Sequence, residues 1–201
     1  MADGRFRATS AAAGPWDPAH LHGGPPAALL GRAVEAAASW PGLVCRLVFD
    51  ILRPVPVADL EVATRVVRPG RRIELLEAEL LTRGEPVMTA RAWRIRTASP
   101  PAPVEPPPGT FSEPAPPVPS GGPTSSAGEE FGELGWFDGY LSAMEWVFLS
   151  GGFAEPGPVR VWARPRMPLV EGEDNTPLTR VPLAADSGNG LSMDNPSTSG
   201  I

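Results

Sequence analysis

One helix-forming stretch precedes a run of alternating segments joined by glycine- and proline-bearing turns. That order directs the first half of the chain toward an antiparallel sheet packed on a single helix. The helix is expected over residues 22–38, where Leu29, Leu30, Ala33, Val34 and Ala37 share one stripe and Trp40-Pro41-Gly42 ends the run. Small residues elsewhere on it would let a sheet approach closely. Residues 43–52 alternate, with Leu43, Cys45, Leu47, Phe49 and Ile51 on one face and Arg46 and Asp50 on the other. A second strand is expected over 60–67, followed by Arg68-Pro69-Gly70-Arg71 with the Pro-Gly signature of a type II turn. Residues 71–83 are rich in helix formers and carry a passable helical stripe. Their place between a turn and a further strand assigns them to the sheet instead. Arg83-Gly84-Glu85-Pro86 supplies another turn, and residues 87–96 form the fourth strand.

The 27 prolines and 22 glycines of this 201-residue chain are concentrated, and they divide it. Residues 99–130 are dominated by Pro, Ser, Gly, Ala and Glu, too proline-rich for a sheet or a helix, and read as a linker between a first unit at 1–98 and a second at 131–201. The second unit offers strands at 141–149 and 159–164, an irregular acidic loop at 171–175, and a helix from Pro177 to about Leu191 capped by Thr176. Ten residues follow that helix, so the expectation is a second copy of the first unit that lacks its strands.

A net charge of −6 argues against a nucleic-acid partner, which calls for a basic face. The single cysteine cannot form an internal disulfide, the amino-terminus lacks the apolar segment of a signal peptide, and no apolar run reaches membrane-spanning length. A cytoplasmic protein is expected. His20 and His22 alone make no metal site, and no Cys/His cluster exists for zinc. Gly190-Leu191-Ser192-Met193-Asp194 lacks the closing glycine of a nucleophile elbow, and Cys45, alternating into an apolar face, reads as an inert core thiol.

The residues with chemical promise are His22, Gly23 and Gly24. Unpaired N–H groups at a helix start lie at the positive end of its dipole and can hold a polarised carbonyl. Pro25 and Pro26 contribute no N–H, which leaves Gly23, Gly24 and Ala27 as the donors. Arg65, Arg68, Arg71 and Arg72 flank the Pro-Gly turn as a candidate phosphate contact or a solvated cluster.

Four segments in order resemble the acyl-CoA thioesterase family with two fused hotdog domains: His22-Gly23-Gly24 with its helix, Phe49-Asp50-Ile51-Leu52-Arg53-Pro54, Arg160-Val161-Trp162-Ala163-Arg164, and Leu183 to Gly190. The resemblance implies an α+β double hotdog, an antiparallel sheet wrapped around a central helix in each unit, with the second copy incomplete. It also implies hydrolysis of a fatty acyl-CoA or related acyl thioester by an activated water, without a cofactor. The family's catalytic aspartate falls on Asp186, while its threonine and glutamine partners belong to strands beyond residue 201, and Thr198 does not match them. In single-domain relatives an acid follows the motif histidine by nine residues; here that position is Gly31, and Glu35 reads as a solvated helix residue. His22, Gly23 and Gly24 are the expected substrate contacts. A non-catalytic acyl-thioester or partner-binding protein, or a truncated inactive product, is the competing reading, and an uncovered second helix would favour homo-oligomers.

Overall fold

The computed structural model describes residues 4–97, 139–153 and 155–191. The proline-rich stretch at 99–130 and Ser192, Asp194 and Thr198 lie outside the described residues. Helix α1 spans Gly24–Ala36, with Pro25 and Pro26 in its first turn, where a missing N–H forfeits no intrahelical bond. Strands β2 (Gly42–Ile51), β3 (Asp59–Arg68), β4 (Ile73–Thr82) and β5 (Glu85–Arg96) follow as expected. A short strand unmarked in the sequence, β1 (Gly4–Arg7), pairs antiparallel with β3, giving the order β1-β3-β4-β5-β2. The ambiguous segment is strand β4: Leu76, Ala78 and Leu80 are fully buried, a period-two pattern that helix propensity alone would hide.

The sheet wraps α1 on one side. Ala78 pairs with Ala90, Leu76 pairs with Ala92, and all four are fully buried. Small side chains in the sheet therefore accompany a helix that is apolar almost all round, buried from Gly24 to Gly31 and again at Ala33 and Val34. Such a helix needs cover on its other side as well.

That cover comes from the second unit. Helix α2 (Tyr140–Ala143) leads into the hairpin β6 (Met144–Ser150) and β7 (Arg160–Pro165), and α3 spans Pro177–Ala185. Thr176 caps α3 by accepting from Thr179 N at 3.2 Å. Glu35, near the end of α1, meets Thr176 at the start of α3, while Gly23 at the start of α1 meets Asp186 at the end of α3. The two helices thus run antiparallel in contact.

Six expectations are corrected. Residues 141–149 are not one strand, because the first turn after Gly139 is helical. Helix α3 stops at Ala185 instead of continuing to Leu191; Pro182 removes one N–H from its ladder, and the chain tightens into a 3-10 turn over Asp186–Asn189. The Arg68–Arg71 hairpin is not a type II turn: Gly70 does not take the positive φ that turn requires, and residues 69–72 form a wider loop. At the next hairpin Arg83 and Gly84 both have positive φ, 52° and 79°, and close a two-residue turn. The face of β2 is also reassigned. A register shift between Val44 and Arg46 flips the alternation, so Val44, Leu47 and Phe49 pack on the core while Leu43 and Cys45 are exposed. Cys45 is therefore not a core thiol; its S–H donates to Trp93 O at 3.3 Å. Glu35, finally, is not a solvated residue, since it accepts from Thr176 Oγ1 at 2.6 Å.

Candidate active site

The antiparallel contact of α1 and α3 brings all four residues singled out in the sequence to one place. Gly23 and Gly24 are what allow it. A Cβ on Gly23 would lie 2.7 Å from Asp186 Oδ2, and one on Gly24 would lie 2.7 Å from Leu183 O. Both separations are too short for a side chain, so the two glycines admit the end of α3 against the start of α1. Asp186 stands half-exposed over that junction, with His22 Nδ1 at 3.3 Å from its Oδ2.

The hydrogen bonds fix the state of His22. Gly24 N–H donates to His22 Nδ1 at 3.2 Å, so that nitrogen is an acceptor and the ring proton resides on Nε2. Burial lowers the His22 pKa below its ordinary value, and the Asp186 charge only partly opposes this. The 3.3 Å approach is therefore an imidazole lone pair beside a carboxylate, not an ion pair, at neutral pH. Of the three donors expected at the helix start, Gly24 N–H is spent on His22 and Ala27 N–H on Gly23 O at 3.1 Å. Gly23 N–H makes no hydrogen bond among the described residues.

Tyr140 and Ser187 complete the site and were not marked by the sequence. The Tyr140 ring stacks on His22 with centroids 3.8 Å apart and planes 6° from parallel. Its hydroxyl donates to Leu183 O and shares a hydrogen bond with Ser187 Oγ at 2.8 Å. Burial pushes the Tyr140 hydroxyl up to about 12, with Ser187 opposing and Asp186 reinforcing that shift. The phenol thus stays neutral and ties α2 to the end of α3. Tyr140 is the chain's one tyrosine, which is the only hint the sequence offers.

A largely apolar cleft of about 560 Å³, within the usual range for a ligand pocket, lies beside the first turns of α1, and none of His22, Gly23, Gly24 and Asp186 is among its described lining residues. Leu21 and Pro25, which bracket the His22-Gly23-Gly24 motif, line it together with Leu29, Leu60, Leu169 and Val170. The other sequence candidates lie elsewhere. His20 bonds Asp17 at 2.7 Å on the surface, and Gly31 faces Leu47 and Pro182. Arg65 pairs with Glu77, which also takes Arg91 at 2.6 Å, so Arg65 leaves the arginine cluster at the β3–β4 loop.

A sheet curled on a buried helix, with a second helix packed antiparallel across its open side and a carboxylate set over a glycine-rich helix start, defines a hotdog protein of the fused, two-unit kind. Residues 12–95 match the profile of the acyl-CoA thioesterase N-terminal domain and residues 112–199 that of the acyl-CoA thioesterase C-terminal domain. The chain belongs to the acyl-CoA thioesterase family.

Two solved structures share its fold over 92% of its length. One is a conserved protein of unknown function with a hot dog fold from Alicyclobacillus acidocaldarius, 18% identical with a TM-score of 0.56. The other is the tesB protein of Mycobacterium avium subs paratuberculosis, 14% identical with a TM-score of 0.53. The chain spans 63% and 61% of those two proteins, under two thirds of each. No curated protein sequence matches it. Among the described residues no helix is long and apolar enough to cross a membrane.

Proposed function

We propose that the chain hydrolyses an acyl thioester at the α1–α3 junction, with Asp186 as the group that orients and deprotonates water. The observation that carries this reading is the packing of the Asp186 carboxylate against Gly23 at the start of α1, 3.3 Å from His22 Nδ1, where the Gly23 N–H is unspent among the described residues. A thioester carbonyl oxygen hydrogen-bonded to Gly23 N–H presents its carbon to a water held by Asp186. Attack forms the new C–O bond, and one water proton passes to the carboxylate. Collapse breaks the C–S bond, and that proton leaves with the sulfur, giving a free acid and a thiol. His22, neutral and clamped by Tyr140, sets the position of Gly24 and the near edge of the site. The acyl tail is assigned to the apolar cleft beginning at Leu21 and Pro25, and acyl-CoA is the substrate class the family supports. The reading keeps the division into units at 1–98 and 131–201 joined by the stretch at 99–130, in a cytoplasmic setting.

The test is thiol release from acyl-CoA substrates of several chain lengths, followed with a thiol reagent. The wild-type chain releases thiol, and Asp186→Asn lowers kcat by about 10²–10⁴-fold with its melting temperature retained. Full activity of Asp186→Asn moves the chemistry elsewhere. Saturable acyl-CoA binding with no release from any substrate rejects hydrolysis and leaves a binding protein.

A further inference from the structure

The arginine-rich loop between β3 and β4 is not used by the proposed reaction, and its arrangement is that of a site. We propose that the cleft formed by Arg68, Arg71, Arg72 and Arg96 binds a ligand carrying several phosphate groups. The cleft holds about 660 Å³, more than one phosphate needs, and among the described residues its only other lining residues are Gly70 and Ile73. No acid lines it, and none of the four arginines enters an ion pair among the described residues. Four like charges crowd together on a chain whose net charge is −6, so the cluster is a local feature and not a reflection of overall basicity.

Two of the cations are placed by aromatic rings instead of carboxylates. Arg68 lies over Trp93 at 5.7 Å and Arg96 over Trp40 at 5.4 Å. A guanidinium held on a ring face keeps its N–H fork free for an incoming oxyanion, and that fork suits two phosphate oxygens at once. Gly70 shapes the loop between them: its carbonyl accepts from Trp40 Nε1 at 2.9 Å, and a Cβ there would collide with Ile73 O. The nearest buried acid, Glu74, is already taken by Arg94 at 2.6 Å and does not neutralise the cleft. An acidic protein surface would be drawn by the same charges, but the cleft is a recess fenced by forked donors, which favours phosphate.

Two sources carry this chemistry: the nucleotide end of coenzyme A and a free nucleotide. The site lies past the carboxyl end of α1, about 20 Å of helix away from Gly23. Calorimetry with adenosine 3′,5′-bisphosphate tests the proposal without requiring any hydrolysis. Saturable binding is expected, weakened by about tenfold or more in Arg71→Glu/Arg72→Glu and less in Arg71→Lys/Arg72→Lys, where charge persists without the fork. Circular dichroism checks that both variants fold. Absence of saturable binding, or equal binding by wild type and the glutamate variant, overturns the site.

Comparing kcat/KM for an acyl-CoA and for the same acyl group on pantetheine, which lacks the nucleotide, separates the sources. This arm rests on the proposed hydrolysis. Loss of the wild-type preference for acyl-CoA in the glutamate variant assigns the cleft to coenzyme A. An unaltered preference alongside lost bisphosphate binding assigns it to a free nucleotide.

Discussion

The two ends of α1 each set an acid against a base, and they do so in opposite ways. Past the carboxyl end, Arg94 and Glu74 form a sealed pair, 5% and 1% exposed, with Arg94 also donating to Trp40 O at 3.1 Å and Gly42 O at 3.3 Å and lying over the Trp40 ring. At the amino end, Asp186 is 42% exposed beside His22, which its surroundings keep neutral. The sealed pair joins β4 to β5 and reaches the segment leaving the helix, so it orders the sheet. The open pair leaves its carboxylate reachable by a reactant. The contrast separates a polar contact that organises a fold from one that is free to do chemistry.

The largest effect should come from breaking the sealed pair. Arg94→Ala strands Glu74 in the interior, where its Oε2 already lacks a partner, and should cost about 3–5 kcal/mol by urea denaturation. Replacing both residues together, Glu74→Leu with Arg94→Met, should recover most of that loss, since no charge is then left buried. Asp186→Asn removes a half-exposed group and should change the midpoint by less than about 1 kcal/mol. Comparable destabilisation by Arg94→Ala and Asp186→Asn would erase the distinction between the two ends.

The glycines at the open end divide the same way. Gly24→Ala drives a Cβ into Leu183 O and within 3.2 Å of Pro182 O, both backbone atoms that cannot swing aside, and should cost about 1–3 kcal/mol. For Gly23→Ala the three atoms nearest the new Cβ all belong to the Asp186 side chain, which can rotate toward solvent. It should leave the denaturation midpoint nearly fixed while lowering thiol release, because the carboxylate is displaced from the helix start. If Gly23→Ala destabilises as much as Gly24→Ala, the Asp186 contact is a packing contact.

How much of this was legible in the sequence follows from the range of the interactions. Strands β2 to β5 and helix α1 announce themselves through local periodicity and turn residues, and even β4 is recoverable from its neighbours. The face of β2 was not, because one bulge at Cys45 inverts an alternation that reads as continuous. Strand β1 has four residues and no pattern of its own; pairing with β3 makes it a strand. In the site, the sequence supplied His22, Gly23, Gly24 and Asp186 as separate candidates, and their roles remain proposals. It could not supply Tyr140 and Ser187, since the ring stack and the hydroxyl bond depend on how α2 and α3 meet α1. The arginine cluster was visible with one wrong member: Arg65 looks equivalent to Arg68 along the chain, yet cross-strand register gives it to Glu77 and brings Arg96 in its place.

The smallest expected effect, and the most specific to the open end, is its response to acid. The folded-state pKa of His22 lies below the ordinary 6.5, chiefly because burial disfavours its charged form. As pH falls through 6.5 the unfolded chain takes up a proton at this position before the folded chain does, so stability declines from there down to the depressed native value. One such group contributes a slope of at most about 1.4 kcal/mol per pH unit. The groups facing His22 from neighbouring elements are Asp186 at the end of α3 and the neutral phenol of Tyr140 on α2. Once protonated, His22 Nδ1 can no longer accept from Gly24 and donates to Asp186 instead, converting the open end into an ion pair like the sealed one. Melting temperatures measured between pH 7 and pH 5 should therefore fall more steeply for the wild-type chain than for His22→Gln, whereas thiol release should decline only once pH falls through the depressed folded-state value and Asp186 is engaged. Parallel pH profiles for the two proteins would mean that folded and unfolded states take up the His22 proton equally, and a shallower fall for the wild-type chain would mean that His22 is already charged in the folded state and that the two ends of α1 are electrostatically alike.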